Sequence, residues 1–287
     1  MQLSRRLLAV AGMVTPGYVL ADIGTDHAYI PIYLIENKRI SHAIAADINE
    51  GPLARAKAHI QEHGLEYRIE TRLSDGLSAF LPGEAQSIVL AGMGGALTIR
   101  ILQDGMERLE SAELPELILQ PQSEISQVRA YLQDSGWSIV QEDMVFEDGK
   151  YYPMMKVKRC EDMETPPRIA RRQGGSSMEV RIAKDEPMET PPRIARRQDG
   201  SISSMSDLQL AFGPELLKMR HPVLHQFLLH DRRTQERILE SLGLSQKESA
   251  AVRAEEIRDR IRLIDQALSI YSGEAANQRN VLAQISD

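Results

Sequence analysis

Short apolar runs alternate with amphipathic stretches from the start of the chain to about Arg159. Strand-like runs fall at 18–23, 42–47, 67–72, 86–91, 116–120, 137–145 and 152–158. Helix-like periodicity lies near 30–37, 51–63, 95–109 and 123–135. Before the first strand, Leu3, Leu7 and Val10 share one face of a short amphipathic helix. Gly51-Pro52 opens the second long helical stretch with proline in its first turn. Strands that alternate with helices predict a parallel sheet covered on both faces, an α/β domain of Rossmann-like class. The last two strands are separated only by Glu147-Asp148-Gly149-Lys150 and read as a terminal antiparallel hairpin.

The pattern changes twice after residue 159. METPPRIARRQ occupies 163–173 and recurs unchanged at 188–198. Two proline-rich copies with little to bury predict a flexible surface insertion rather than a solenoid. From Gly213-Pro214 onward the chain reads as helical. Pro222 starts a helix that ends before Gly243, and Ser245-Gln246-Lys247-Glu248 matches a capping box. Ala254, Ile257, Ile261, Ile264, Leu268 and Tyr271 then recur at three- and four-residue steps. Leu217, Leu224, Leu228, Ile238 and Leu242 fit the same frame, which predicts two antiparallel helices with a coiled-coil seam. The expected division is a sheet domain at 1–159, an insertion at 160–212 and a helical domain at 213–287.

Composition narrows the class. The 287 residues are 42% hydrophobic and 26% charged, and no apolar run approaches the ~18 residues that would span a membrane. The basic and apolar N-terminus runs straight into the first strand and reads as a helix rather than a leader. One cysteine, Cys160, excludes an internal disulfide and a cysteine metal cluster, and cytoplasm is the expected compartment. The net charge of −7 argues weakly against nucleic acid. Arg5, Arg6, Lys150, Lys156, Lys158 and Arg159 are nonetheless candidates for a local basic face. His221 and His225 are four apart but lack a third ligand, so no metal is expected.

The chemistry concentrates at strand ends. VLADIGTDHAYIPI leads from a strand into Asp22, Gly24, Thr25, Asp26 and His27. Ligands of open parallel sheets bind beyond the carboxyl ends of the strands. A dinucleotide site would want Gly-x-Gly-x-x-Gly here to seat a pyrophosphate. The second and third glycines are missing, and Asp26 would repel a phosphate. The loop suits a ligand without phosphates and with a positive centre, such as S-adenosylmethionine. AIAADIN ends in Asp47 and Ile48, where an acid can accept ribose hydroxyl protons. RLSDGL places Asp75 and Gly76 where a carboxylate can take an adenine amino group. IVLAGMGG places the small residues Ala91, Gly92 and Gly94, with Met93, beside the reacting centre.

ADIGTDHAYIPIYL, AADIN, SDGL, AGMGG, ILQPQSE, DGKYYPMMKV and, after the insertion, FGPELL together resemble the bacterial tRNA adenine N1-methyltransferase family that acts at position 22 of the tRNA. The resemblance covers about 1–159 and resumes at 212–217. It implies a class I S-adenosylmethionine-dependent methyltransferase domain followed by a helical coiled-coil domain, with tRNA as partner. It implies catalytic roles for Asp26 and His27: Asp26 orients the adenine amino group and offsets charge, and His27 fixes the loop or contacts the base. The alternative for Asp26 is an N-cap of the following helix. Arg5, Arg6, Tyr29, Gln120, Pro121, Lys150 and Tyr151 are the expected substrate-facing residues. Two other readings stay open: a methyltransferase for a small molecule, and an RNA-binding module that keeps a cofactor pocket without turnover.

Overall fold

The computed structural model describes residues 1–109, 115–159, 204–243 and 248–284. The METPPRIARRQ repeats, Cys160 and the proposed cap at Ser245 lie outside them. The sheet domain runs α1 (Arg5–Met13), β1 (Leu20–Ile23), α2 (Tyr29–Glu36), β2 (Ala43–Asp47), α3 (Glu50–Glu62), β3 (Ile69–Leu73), β4 (Ser87–Ala91), α4 (Gly95–Leu109), β5 (Glu116–Gln120), α5 (Ile125–Asp134), β6 (Trp137–Glu147) and β7 (Lys150–Arg159). The seven strands lie in the order β3-β2-β1-β4-β5-β7-β6. The first five are parallel, and β7 is antiparallel to both neighbours.

The central strands are short and apolar because both their faces are covered. All four residues of β1 and all five of β5 are buried. Successive side chains feed opposite layers, as the two-residue strand period requires. Leu20, Ala43, Ala45, Val89 and Ile118 pack with Val10, Ile32 and Ile60 beneath α1, α2 and α3. Ala21, Ile44, Ala46, Leu90 and Leu119 pack with Leu102 and Val128 beneath α4 and α5. The strand order reverses between β1 and β4, so the crevice opens at the carboxyl ends of β1, β2, β4 and β5.

The terminal hairpin is longer than its apolar pattern predicts. Its strands reach Glu147 and Lys150 because Asp148 and Gly149 both take positive φ, 49° and 75°, and close a two-residue turn.

Helical packing resumes at Asp207, with α6 (Asp207–Phe212), α7 (Pro214–Lys218), α8 (Pro222–Gly243) and α9 (Glu248–Gln284). Leu216, Leu217, Leu224 and Leu228 close a third core with Ile264, Ala267 and Met144 of β6. Tyr271 stacks on His225, while Arg260 pairs with Asp231 and Arg232 with Asp265. Rising numbers on α8 thus meet falling numbers on α9, and the two helices are antiparallel.

A buried ion pair joins this core to the sheet. Arg129 of α5, 1% exposed, meets Glu142 of β6 at 2.9 Å and donates to the Leu210 carbonyl at 2.9 Å. Glu142 in turn accepts the backbone N–H of Glu215 at 2.9 Å and of Leu216 at 3.3 Å. Gly213, at φ 93°, leaves room for that carboxylate, which a Cβ at this position would strike.

Candidate active site

The crevice is assembled by contacts between neighbouring strand ends. At the end of β1, Gly24 takes φ 76°, which glycine alone adopts without strain, and the Met93 side chain from the loop after β4 lies across its open face. Asp22 lies underneath, 7% exposed. Burial pushes its carboxyl up to about 6, against a hydrogen bond from the Thr25 side chain that lowers it. Thr25 Oγ1 accepts the Ala28 N–H at 3.1 Å and so secures the turn into α2.

Asp26 is not the cap of α2. The helix begins after Ala28, which makes no side-chain cap, and Asp26 instead pairs with Arg55 of α3, whose Nε lies 2.8 Å from its Oδ1. His27 Nε2 lies 3.5 Å from the other carboxylate oxygen of Asp26. The His27 ring stacks on Tyr29 at 5.0 Å between centroids. His59, also on α3, holds this loop through Nδ1 and the His27 carbonyl at 2.8 Å.

At the end of β2, Asp47 Oδ1 accepts the Asn49 N–H at 2.7 Å, and the Asp47 carbonyl accepts the Ser74 N–H at 2.9 Å. Among the described residues Asp47 Oδ2 has no hydrogen-bond partner. Ile48 and Leu73 are each 54% exposed beside it. Asp75 is open to solvent, with Arg100 at 4.0 Å. Gly76, at φ 55°, lets the chain turn against Ile101.

The ends of β4 and β5 meet through Gly92, whose N–H donates to the Gln120 carbonyl at 3.0 Å, and Met93, whose carbonyl accepts the Gln122 N–H at 2.8 Å. Gly94 sits beneath Ser123, and the Gly95 N–H donates to Ser123 Oγ at 3.2 Å. Arg6 enters from α1. Its Nη1 donates to the buried Gln120 Oε1 at 2.9 Å, and its guanidinium lies over the Tyr152 ring. Gln120 Nε2 donates to the Pro121 carbonyl at 3.3 Å, so both ends of the amide are held.

Other expected residues lie elsewhere. Tyr151 packs against Phe146, Phe227 and His230 between the hairpin and α8. Lys150 is exposed at the hairpin turn. Arg5 reaches towards Glu147 at 4.0 Å, and its backbone N–H donates to that carboxylate at 2.7 Å. Lys156 does not join a basic face: its Nζ is drawn inward to Glu116 at 2.8 Å and the Met13 carbonyl at 2.9 Å. His221 pairs with Asp143 rather than with His225, and no group of three potential metal ligands occurs among the described residues. No helix of the described residues is long and apolar enough to cross a membrane.

Arg55 and His59 were missed by sequence reasoning. Both lie one helical turn apart on α3, just after the Asp47 strand, but nothing in their local pattern links them to a loop about thirty residues earlier.

The donor set fits S-adenosylmethionine. A buried acid, an unengaged carboxylate oxygen on Asp47, exposed apolar side chains beside it and glycines at the β1 and β4 ends suit a cationic nucleoside, and the Arg55 guanidinium at the β1 turn is taken up by Asp26. The comparisons agree. A family model described as a methyltransferase domain matches residues 3–155. Over 155 residues the chain is 41% identical to the tRNA (adenine(22)-N(1))-methyltransferase of Bacillus subtilis (strain 168), an alignment that covers 54% of this chain and 64% of that protein. The crystal structure of the B. subtilis m1A22 tRNA methyltransferase TrmK superposes with a TM-score of 0.69 at 29% identity, covering 93% of this chain and 98% of that one. Streptococcus pneumoniae Sp1610, solved with S-adenosyl-L-methionine, gives a TM-score of 0.69 at 31% identity, covering 93% of this chain and all of that one. A seven-stranded sheet in this order, glycine turns at its carboxyl edge and a family match from residue 3 into β7 lead to one assignment: the chain belongs to the methyltransferase-domain family, with the Rossmann-like class I fold.

Proposed function

We propose that this protein transfers the methyl group of S-adenosylmethionine to N1 of the adenine at position 22 of tRNA, in the cytoplasm. The observation that carries the reading is the 41% identity to the B. subtilis tRNA methyltransferase over 155 residues. A likeness to TrmK that extends over 93% of this chain, helices included, supports a large substrate over a small one.

S-adenosylmethionine supplies a methyl group on a positively charged sulfur. The chain's part is binding, alignment and exclusion of water. Asp47 accepts the ribose hydroxyl protons through its unengaged oxygen, and Asp75 takes the adenine amino group. Ile48 flanks the base of the cofactor. Asp22, beneath Gly24, supplies negative charge towards the cationic amino-acid end. Gly92 and Gly94 admit close approach at the β4 end.

Adenine N1 has an in-plane lone pair, so no proton is removed before attack, but the methylated ring is a cation. Asp26 orients the amino group of the target adenine and offsets that charge. Arg55 sets the direction of its carboxylate, and His27 completes the loop. Arg6 fixes the Gln120 amide at the far wall, next to Pro121. N1 lies on the pairing edge, so the base must leave its stack before it enters.

The test is a transfer assay with S-adenosylmethionine labelled in the methyl group, run on unmodified tRNA and on free adenosine. Label in tRNA alone supports the reading. Label in free adenosine at an equal rate favours a small-molecule enzyme, and binding of tRNA without label favours a module that has lost turnover.

A further inference from the structure

Four rings lie together on one outer flank of the crevice. His27 and Tyr29 stack with their planes 21° apart. His59 stands edge-on to both, at 6.3 Å from His27 and 5.2 Å from Tyr29. His63 stands edge-on to His59 at 4.9 Å and pairs with Glu36 at 2.6 Å. Tyr29 is 38% exposed. Its helix neighbours explain none of this exposure, since Ile30, Ile32 and Leu34 on the same short helix are buried.

The position of the group matters. His59 and His63 come from α3 and the turn after it, and α3 packs against β2 and β3, while His27 and Tyr29 belong to the loop and first helical turn after β1, next to Asp26. The ring pair therefore adjoins Asp26, and His59 and His63 extend it outward along α3. Charge is balanced there: Asp26 is paired with Arg55, and Glu36 with His63 and the N-terminus. A flat aromatic surface with little net charge attracts a base face more than a phosphate.

We propose that the His27–Tyr29 ring pair, buttressed by His59, is a stacking ledge for a nucleobase that flanks the target adenine in the unpaired RNA strand. The inference rests on the tRNA reading above and adds where the displaced strand is held. Unstacked RNA bases are commonly received on tyrosine and histidine rings. Such stacking tolerates any base, because every base has a π-face.

Salt distinguishes stacking from phosphate binding. Removing a cation that neutralises a phosphate flattens the dependence of log affinity on log salt, whereas removing a stacked ring leaves that slope in place. The experiment compares wild type with Tyr29→Leu, Tyr29→Phe and Tyr29→Trp in the full chain. Binding of unmodified tRNA is titrated at several salt concentrations, S-adenosylmethionine binding is measured by calorimetry, and methyl transfer gives kcat and KM. Tyr29→Leu is expected to bind tRNA on the order of tenfold more weakly, with an unchanged salt slope, unchanged cofactor affinity and the loss mainly in KM. Phe and Trp should restore binding.

An equal loss of cofactor affinity in Tyr29→Leu would overturn the proposal, because the rings would then belong to the cofactor site. So would wild-type tRNA binding in Tyr29→Leu, or a flattened salt slope. If wild type itself transfers no methyl to tRNA, the tRNA reading fails. If wild type methylates tRNA and Tyr29→Leu behaves as wild type, the ledge alone fails.

Discussion

Asp22 shows how one side chain can make binding depend on pH. Its folded carboxyl lies near 6, above the ordinary 3.8, because burial disfavours the anion. The unfolded chain ionises first, so this group's contribution to stability is fully present below about 3.8. It is lost as pH rises through 6 and amounts to about 3 kcal/mol. A cationic ligand has the opposite preference and favours the anion. S-adenosylmethionine should therefore bind roughly fourfold more tightly at pH 7.5 than at 5.5, and Asp22→Asn should remove that difference; calorimetry at the two pH values reads it directly. Asp47→Ala should weaken cofactor binding by about 1.5–3 kcal/mol, the worth of a hydrogen bond to a charged acceptor, while the protein stays folded. Wild-type affinity in that variant would remove Asp47 from the ribose. The positions of Asp22, Gly24, Asp47, Gly76 and Gly92 were legible because a turn at the end of a buried strand demands small or polar residues in a short window. The Asp26–Arg55 pair was not, since it joins residues with no shared periodicity. The contacts of Tyr151 with Phe227 and His230 were not legible for a related reason: they join the hairpin turn to a helix more than seventy residues later.

At the level of elements, the parallel strands and their helices follow from the alternation of apolar runs, and the two-layer core reproduces it residue by residue. What the pattern could not disclose is the clasp between the sheet and the helices. Nothing in the local pattern links Arg129 on α5 to Glu142 on β6, yet both are buried against each other, and Glu142 also holds the start of α7. Removing one partner leaves the other charge buried, which is strongly destabilising. Arg129→Ala should thus lose about 3–5 kcal/mol in urea unfolding. Gly213→Ala should also destabilise, because its Cβ would meet the Glu142 carboxylate at a backbone angle that alanine rarely adopts. A variant of either kind with the wild-type midpoint would mean that the helices are not clasped in this way.

For the whole molecule, the clasp means that deleting the helices would uncover Glu142, Met144 and Tyr151, so substitutions on the surface are the cleaner probe of RNA docking. Arg232 is already engaged by Glu236 and Asp265. Arg233 and Arg237 are exposed one turn apart on α8, and neither makes an ion pair among the described residues. If α8 touches the tRNA backbone, Arg233→Glu with Arg237→Glu should weaken tRNA binding and reduce the salt slope by about 2, while cofactor affinity stays the same. Filter binding across a salt series with an unchanged slope would take α8 out of the interface. The central claim is the identity of the reacting atom. A methyl group on adenine N1 blocks base pairing, so reverse transcription halts there. Unmodified tRNA is incubated with the protein and S-adenosylmethionine and then read by primer extension, beside a transcript that carries guanine at position 22. The account predicts a cofactor-dependent stop immediately 3′ of position 22 with adenine there, and none with guanine. A stop elsewhere, or no stop while label enters the tRNA, would contradict it.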